Sequence, residues 1–476
     1  MCGILGLWGS EQAGSELMFG LTALQHRGQD AAGVLTFDGG FRVQKGNGLV
    51  SQVFQERHLE RLRGSCGVGH VRYATMGEVD PDDAQPIYLN YPYGLAMAHN
   101  GNLINFVEVR DRLYRENHRL VDTSNDIALI LYTFAAELEK RNLETLSVDE
   151  IFECVEQTQR LVRGAYAAVG VIADRGLIAF ADPHGIRPAV LGLRKGPNGP
   201  EYAVASETTC LDYLGYEPIG ELGAGEAIFI DTEGTVHRHQ GVRGREAFCV
   251  FEYIYFMRED STIRGRVAAN ERVNMGRSLV EVVRQAGVSP DVVVDVPASG
   301  YFFASALAEE LGVPYRRGLA KNNHVGRSFI LPETRKREQA VRQKLNPIPG
   351  ILEGKKVAVV DDSIVRGTTS RRLVQLLRAA GAREVYVVSA APPITHPCVY
   401  GIDMSTSDEI IAANHSIEEI RGMIGADALI YQDLDVLRSL YEDVPCCYAC
   451  FSGEYPTGLP DALLADIARD KARSCR

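Results

Sequence analysis

The sequence predicts two folds joined in one chain, an α+β half followed by an α/β half on a mainly parallel sheet. Three observations carry this. Candidate helices at 103–117, 124–141 and 149–163 precede a block of candidate strands at 165–173, 177–182, 202–206 and 226–231, and strands segregated from helices mark α+β layers. From residue 271 onward strand and helix alternate instead, which is the pattern of a parallel sheet. Between the two, 233–247 contains Gly234, Gly241 and Gly244 with little apolar content and reads as the joint. The expected domains are therefore 2–235 and 245–457, with 458–476 as a C-terminal tail.

Composition narrows the function. The 476 residues are 45% apolar and 24% charged, as in a soluble protein of two or three domains. A net charge of −12 argues against nucleic acid as a partner. No apolar run reaches membrane-spanning length, and no Lys or Arg precedes Arg27 to open a signal peptide. A cytoplasmic location follows, where ten cysteines suit catalysis or metal binding better than disulfides.

The first element is Met1-Cys2-Gly3-Ile4-Leu5-Gly6. Removal of the initiator methionine would leave a thiol and a free α-amine on Cys2, and that amine, at about 7.7–8.0 in peptides, can act as the thiol's own base. A buried cysteine opening a strand is the plain alternative. Gln25-His26-Arg27-Gly28-Gln29-Asp30 closes the first helix with a polar turn, and Gly67 to Thr75 forms a strand that delivers Arg72, Tyr73 and Thr75. Ala98-His99-Asn100-Gly101-Asn102 ends another strand with an amide and a glycine N–H. The stretch Gly192 to Pro200 reads as a turn-rich hairpin loop.

In the second half, Asp291 to Val296 is a strand running into Pro297-Ala298-Ser299-Gly300 and a helix stopped near Gly312. Arg316 to Lys344 holds nine Lys or Arg against Glu333 and Glu338, a basic stretch in an acidic chain. Val357 to Val360 is a buried strand ending in Asp361 and Asp362, followed by Ser363-Ile-Val-Arg366-Gly367-Thr368-Thr369-Ser370 and a helix to Gly381. Ligands bind beyond the carboxyl ends of parallel strands, and a helix N-terminus receives phosphate. Gly367 allows close backbone approach and the hydroxyls donate hydrogen bonds, whereas the two aspartates suit ribose hydroxyls or a divalent metal. The ligand this describes is a phosphorylated sugar.

The Asp361–Ser370 stretch resembles the phosphoribosyl pyrophosphate (PRPP) motif of type I phosphoribosyltransferases, and with the first half the chain is similar to the amidophosphoribosyltransferase family. That resemblance, extending to about residue 457, implies an N-terminal-nucleophile four-layer sandwich of two antiparallel sheets between helices for residues 2–235. It implies that Cys2 attacks glutamine, that Asn100 and the Gly101 N–H hold the oxyanion, and that Arg72 and Thr75 take the α-carboxylate. Asp126, in Thr123-Ser-Asn-Asp126, takes the α-ammonium, and Arg27 and Tyr73 belong to the loop closing over glutamine. In the second half it implies PRPP contacts from Asp361, Asp362, Ser363, Arg366, Gly367, Thr368 and Thr369. Lys321, Arg327 and Lys344 belong to a lid over pyrophosphate, and Mg²⁺ sits at Ser299, Asp361 and Asp362. Ala298 stands where the family usually has Asp. Cys249, Cys398, Cys447 and Cys450 match the ligands of a 4Fe–4S cluster in one branch of the family, with zinc as the chemical alternative. Cys66, Cys154, Cys210 and Cys475 read as buried or incidental thiols. The family also implies purine nucleotide inhibitors and a homotetramer or homodimer. Two rivals are another amidotransferase with the same nucleophile, such as glucosamine-6-phosphate or asparagine synthetase, and a PRPP-sensing regulatory protein; neither needs both halves of this pattern.

Overall fold

The computed structural model describes residues 1–73, 83–322, 345–404 and 406–459. A seven-stranded sheet runs in the order Glu217–Glu221, Val190–Gly196, Gly199–Ala205, Gly3–Trp8, Cys66–Arg72, Ala31–Phe37, Phe41–Asn47. A six-stranded sheet runs Val236–Gln240, Glu226–Asp231, Gly176–Ala181, Gly164–Ile172, Leu95–Leu103, Ile87–Leu89. Every pairing in both is antiparallel.

The alternation of side chains along each strand makes four layers. Ile4, Ala96, Ala98, Ala167 and Val169 meet between the sheets. Leu5 and Leu7 point the other way, against Leu17 and Leu21 of helix Ala13–Ala23 and Leu211 of helix Thr208–Leu214. Leu95, Met97, Tyr166 and Ile172 face the helices Phe106–Asn117, Ile127–Leu138 and Val148–Leu161. The last of these starts on a capping box, with Ser147 Oγ accepting from Glu150 N and Glu150 accepting from Ser147 N.

Two boundaries differ from the sequence reading. The expected loop at 192–200 is a tight hairpin in which Gly196 faces Gly199. Its strands are disguised by charge, because Arg194 bonds Glu16 and Glu201. The first unit also continues past 235, since Val236–Gln240 is the edge strand of the six-stranded sheet. Residues 241–247 are then pinned to that unit by Gly241 N to Gly225 O, Gly244 N to Pro183 O and Ala247 N to His184 O.

The second half is a four-stranded parallel sheet ordered Val292–Asp295, Lys356–Asp361, Glu384–Ser389, Ala428–Tyr431. Val292, Val294, Val357, Val359, Val385 and Val387 pack on helices Thr368–Ala379 and Ile417–Ile424. Val293, Val360, Tyr386 and Val388 pack on Ala268–Gln285 and Tyr301–Leu311. Burial of each such side chain contributes about 1.5–3 kcal/mol, which is why these strands read as continuous apolar runs. Asp295 and Asp361 lie together at the carboxyl edge of this sheet. Among the described residues no helix is long and apolar enough to cross a membrane.

Candidate active sites

Cys2 heads the central strand of the seven-stranded sheet. Its N donates to Asn100 Oδ1 at 3.1 Å, its carbonyl accepts from Arg27 Nε at 2.8 Å, and its Sγ lies 3.9 Å from Tyr73 O. Met1 is buried, and burial pushes its amine down to about 5.

Asn100 and Gly101 sit inside the strand Leu95–Leu103 rather than at its end. Asn100 is fully buried, and its Nδ2 has no partner among the described residues. An unmet buried donor is costly unless something uses it. Gly101 has a φ of +152°, and a Cβ there would meet the Ala165 carbonyl oxygen at 1.9 Å, so no other residue fits. Arg72 closes its strand with Nη2 3.7 Å from Asp83 Oδ2 and a buried Nη1 that has no partner among the described residues. Asp126 precedes the helix Ile127–Leu138; its Oδ2 accepts from Leu103 N at 3.0 Å, and His99 Nε2 lies 3.1 Å from its Oδ1. Burial alone would push the Asp126 carboxyl up, but His99 and the Leu103 N–H hold it below the usual carboxylate range. Thr75 lies outside the described residues.

Arg27 differs from the expectation of a loop residue over glutamine. Its guanidinium is fully buried beneath Cys2, with Nη1 on Glu207 at 2.5 Å and Nη1 and Nη2 each 3.0 Å from Glu252. The two carboxylates are what allow its burial there, because buried cations keep their charge only when paired. Glu207 also accepts from Ser261 and lies 2.8 Å from His26 Nε2; burial would raise its carboxyl, yet His26 and Arg27 hold it far below the usual range. Glu252 in turn takes Arg187, whose Nε donates to Tyr400 O at 3.1 Å. Neither carboxylate is visible from the sequence, since each lies about 200 residues from Arg27 in the chain.

In the second half Asp361 and Asp362 are both buried, with Asp362 N donating to Asp361 Oδ1 at 3.0 Å and Ser363 Oγ to Asp362 Oδ1 at 2.7 Å. Burial and the neighbouring carboxylate push Asp361 well up; burial also raises Asp362, against Ser299, Ser363 and Arg272, which lower it. Gly367 has a φ of +70° and caps the helix that Thr368 and Thr369 open. Arg366 is committed to Glu409 at 2.7 Å, with Asp403 at 3.7 Å, rather than standing over the anion turn. The peptide Pro297–Ala298 is cis. Asp295, which the sequence reading gave no role, holds Tyr315 Oη at 3.0 Å beside this edge. Lys321 is exposed at the end of strand Leu319–Lys321; Arg327 and Lys344 lie outside the described residues.

The two units meet along a seam beside Asn100 and Gly101. Asn102 Nδ2 donates to Val399 O at 2.9 Å, and Gly401, at φ +103°, brings its backbone so close to Gly101 that a Cβ would lie 3.0 Å from the Gly101 carbonyl. Immediately before this contact comes Cys398. Cys249 and Cys447 face each other across the short parallel pair Phe248–Cys249 and Cys446–Cys447, and the Cys450 carbonyl accepts from Thr395 N and His396 N just ahead of Cys398. All four of these thiols are free and buried, whereas Cys446 is half-buried. Burial first, then Cys398, Cys447 and Cys249, push the Cys450 thiol well up. Burial pushes Cys249 up to about 11 against Arg187, which lowers it. Among the described residues no three His, Cys, Asp or Glu side chains gather as ligands of one metal ion; the four cysteines are neighbours, not a closed single-ion cage. Cys154 and Cys210 are buried core thiols, Cys66 is half-buried, and Cys475 lies outside the described residues.

Fold and sites together define a glutamine amidotransferase unit joined to a phosphoribosyltransferase unit. Residues 70–213 match the glutamine amidotransferase domain family and residues 270–403 the phosphoribosyl transferase domain family. The chain is 45% identical to an amidophosphoribosyltransferase of Escherichia coli over 96% of its length and 93% of that protein. It is 42% identical to that of Bacillus subtilis, over 98% of this chain and 96% of the relative. A solved structure of glutamine PRPP amidotransferase from Bacillus subtilis, complexed with ADP and GMP, superposes with a TM-score of 0.84 at 40% identity, covering 97% of this chain and 98% of that one. The chain belongs to the amidophosphoribosyltransferase family.

Proposed function

We propose that this enzyme uses glutamine-derived ammonia to displace pyrophosphate from PRPP, giving 5-phosphoribosylamine, glutamate and pyrophosphate, the first step of de novo purine synthesis. The observation that carries the reading is the seam. The strand bearing Asn100 and Gly101 rests on 399–401 of the transferase half, so the unit that would release ammonia is packed directly against the unit that would use it.

In the first unit, running from residue 2 through the edge strand ending at Gln240, Met1 is removed and Cys2 attacks the glutamine amide. The freed Cys2 amine, kept by Asn100 Oδ1, takes the thiol proton. Asn100 Nδ2 and the Gly101 N–H stabilise the oxyanion. Arg72, with Thr75, binds the α-carboxylate through its unpaired nitrogen, Asp126 binds the α-ammonium, and Tyr73 closes over the substrate. Arg27 acts from beneath, as a positioning residue.

In the second unit, from 245 to 457, no protein nucleophile is needed. Ser363, Gly367, Thr368 and Thr369 hold the 5-phosphate, and Asp361 and Asp362 hold the ribose. Two adjacent buried carboxylates, both pushed up toward protonation, fit a dication, and with Ser299 they would hold Mg²⁺. When bound, Mg²⁺ supplies charge to pyrophosphate. Lys321, Arg327 and Lys344 complete the leaving-group site, and Arg366 reaches PRPP only by releasing Glu409. Positioning of ammonia opposite the departing pyrophosphate is the main catalytic effect.

Cys249, Cys398, Cys447 and Cys450 would hold a 4Fe–4S cluster, each thiolate on its own iron. The cluster would act structurally, tying the joint to the C-terminal segment, in the reducing cytoplasm. Inhibition by purine nucleotides is supported by the ADP and GMP in the Bacillus subtilis structure, and the assembly is a homotetramer or homodimer. The test is anaerobic assay with glutamine, PRPP and Mg²⁺. Equal release of glutamate and pyrophosphate is expected, with glutamate low when PRPP is omitted. Cys2→Ala should lose the glutamine reaction and keep the ammonia reaction. Glutamate without pyrophosphate would sink the coupled reading.

A further inference from the structure

Behind the glutamine site lies a buried polar network that orients one ring. His99 is 2% exposed, and its backbone N–H donates to Gln85 Oε1 at 2.8 Å. That contact fixes the orientation of the Gln85 amide. Gln85 Nε2 is left facing His99 Nδ1 at 3.1 Å and Asn125 Oδ1 at 3.3 Å; the approach of Nδ1 to Gln85 Oε1 is longer, 3.4 Å. An amide nitrogen only donates, so Nδ1 must accept, and a ring that accepts at Nδ1 carries its proton at Nε2. Nε2 lies 3.1 Å from Asp126 Oδ1.

Gln85 gives Nδ1 no acceptor in that orientation, and Arg72 and the fully buried His70 stand nearby. Asp126 is thus approached at both oxygens: His99 Nε2 lies 3.1 Å from Oδ1 without an aligned hydrogen bond, and the Leu103 N–H donates to Oδ2. Asp83 anchors the loop before it, accepting from Thr123 Oγ1 at 2.7 Å and Ser124 Oγ at 2.9 Å.

We infer that His99, with Nδ1 turned to Gln85 and Nε2 turned to Asp126, is a positioning residue for substrate selection: it holds Asp126 in the one orientation that receives the α-ammonium of glutamine. The inference rests on the reading of Asp126 given above. A carboxylate fixed in this way discriminates against amides that lack the ammonium, because they leave it without the counter-charge it is oriented to receive.

The test compares wild type, His99→Phe, His99→Gln and Asp126→Asn. KM for glutamine, kcat, the ammonia-dependent rate, and competitive inhibition by glutaramate, which is glutamine without its α-amine, are measured for each. His99→Phe should raise KM for glutamine about tenfold, the loss of one polar contact to a charged group, with the ammonia rate and the glutaramate inhibition constant unchanged. His99→Gln, whose Nε2 can restore the donor, should recover most of the KM. If His99→Phe does not fold, His99→Asn, whose amide reaches only the Nδ1 side, should show the same KM defect. An equal loss of glutamine and glutaramate binding would reduce His99 to a structural residue and overturn the inference. Asp126→Asn with an unchanged glutamine KM would remove Asp126 from the ammonium site, and the earlier reading would fall first.

Discussion

Substituting Asn100 by Ala separates the two chemistries of the molecule. The amide has two jobs at once: Oδ1 keeps the Cys2 nitrogen at 3.1 Å, and the buried Nδ2 waits without a partner. Loss of one oxyanion donor costs about 10²–10³ in kcat. Loss of the acceptor that orients the Cys2 amine adds about a further factor of 10, the worth of one hydrogen bond. The glutamine-dependent kcat should therefore fall by about 10³–10⁴, with KM for glutamine within about threefold, since Arg72 and Asp126 are untouched. The ammonia-dependent rate should stay within about twofold, because the transferase edge at Asp361 is built from a different sheet. Glutamate and pyrophosphate release, measured with each nitrogen donor, reads both. A fall of less than about fivefold with glutamine would refute the oxyanion role. An equal fall with ammonia would mean that the strand supports the seam and not the chemistry.

Other outcomes follow from the same geometry. Protein that keeps Met1, made with the aminopeptidase inhibited, should have no glutaminase activity. Its buried amine falls from 8.0 to about 5, so the unfolded chain binds the extra proton between those values and stability drops as pH falls from 8 to 5. The full drop is roughly 4 kcal/mol, most of it below pH 7, and calorimetry at pH 8 and pH 6 should show that slope only in the unprocessed form. Gly401→Ala places a Cβ 3.0 Å from the Gly101 carbonyl at a φ of +103°. It should lower the glutamine-dependent rate at least about tenfold more than the ammonia-dependent rate; equal losses would mean general misfolding. Anaerobically purified protein should carry about four irons and acid-labile sulfide per chain, lost in Cys398→Ala; stoichiometric zinc would overturn the cluster.

Much of this was legible in the sequence where chemistry and position coincide locally. Cys2 needs only its place at the head of an apolar strand, and Asp361 to Thr369 carries strand end, acid pair and helix start in one continuous run. Cys249, Cys398, Cys447 and Cys450 are individually anonymous, and only family resemblance groups them; the parallel pairing of Cys249 with Cys447 is a tertiary fact. Val236–Gln240 escaped notice because an edge strand shows one face to water. Its Val-His-Arg-His-Gln run lacks the apolar alternation that marks buried strands. Arg27 was misread for a related reason. A charged residue beside a glycine turn looks exposed, and the two carboxylates that allow its burial come from distant parts of the chain. His99 stood beside Asn100 in plain view, but its meaning depends on Gln85 and Asp126.

The buried ion chain has a consequence for how such a protein could have been assembled. Arg27 and Arg187 come from the amidotransferase unit, and Glu252, which both require, lies beyond the joint. Either unit made alone would lose part of this pairing: Arg27 would keep Glu207, but Arg187 would lose Glu252, and Glu252 would lose both arginines. The two halves are therefore no longer interchangeable cassettes: a glutaminase unit borrowed from another amidotransferase would have to bring both arginines in register, and a transferase unit borrowed alone would have to bring the glutamate.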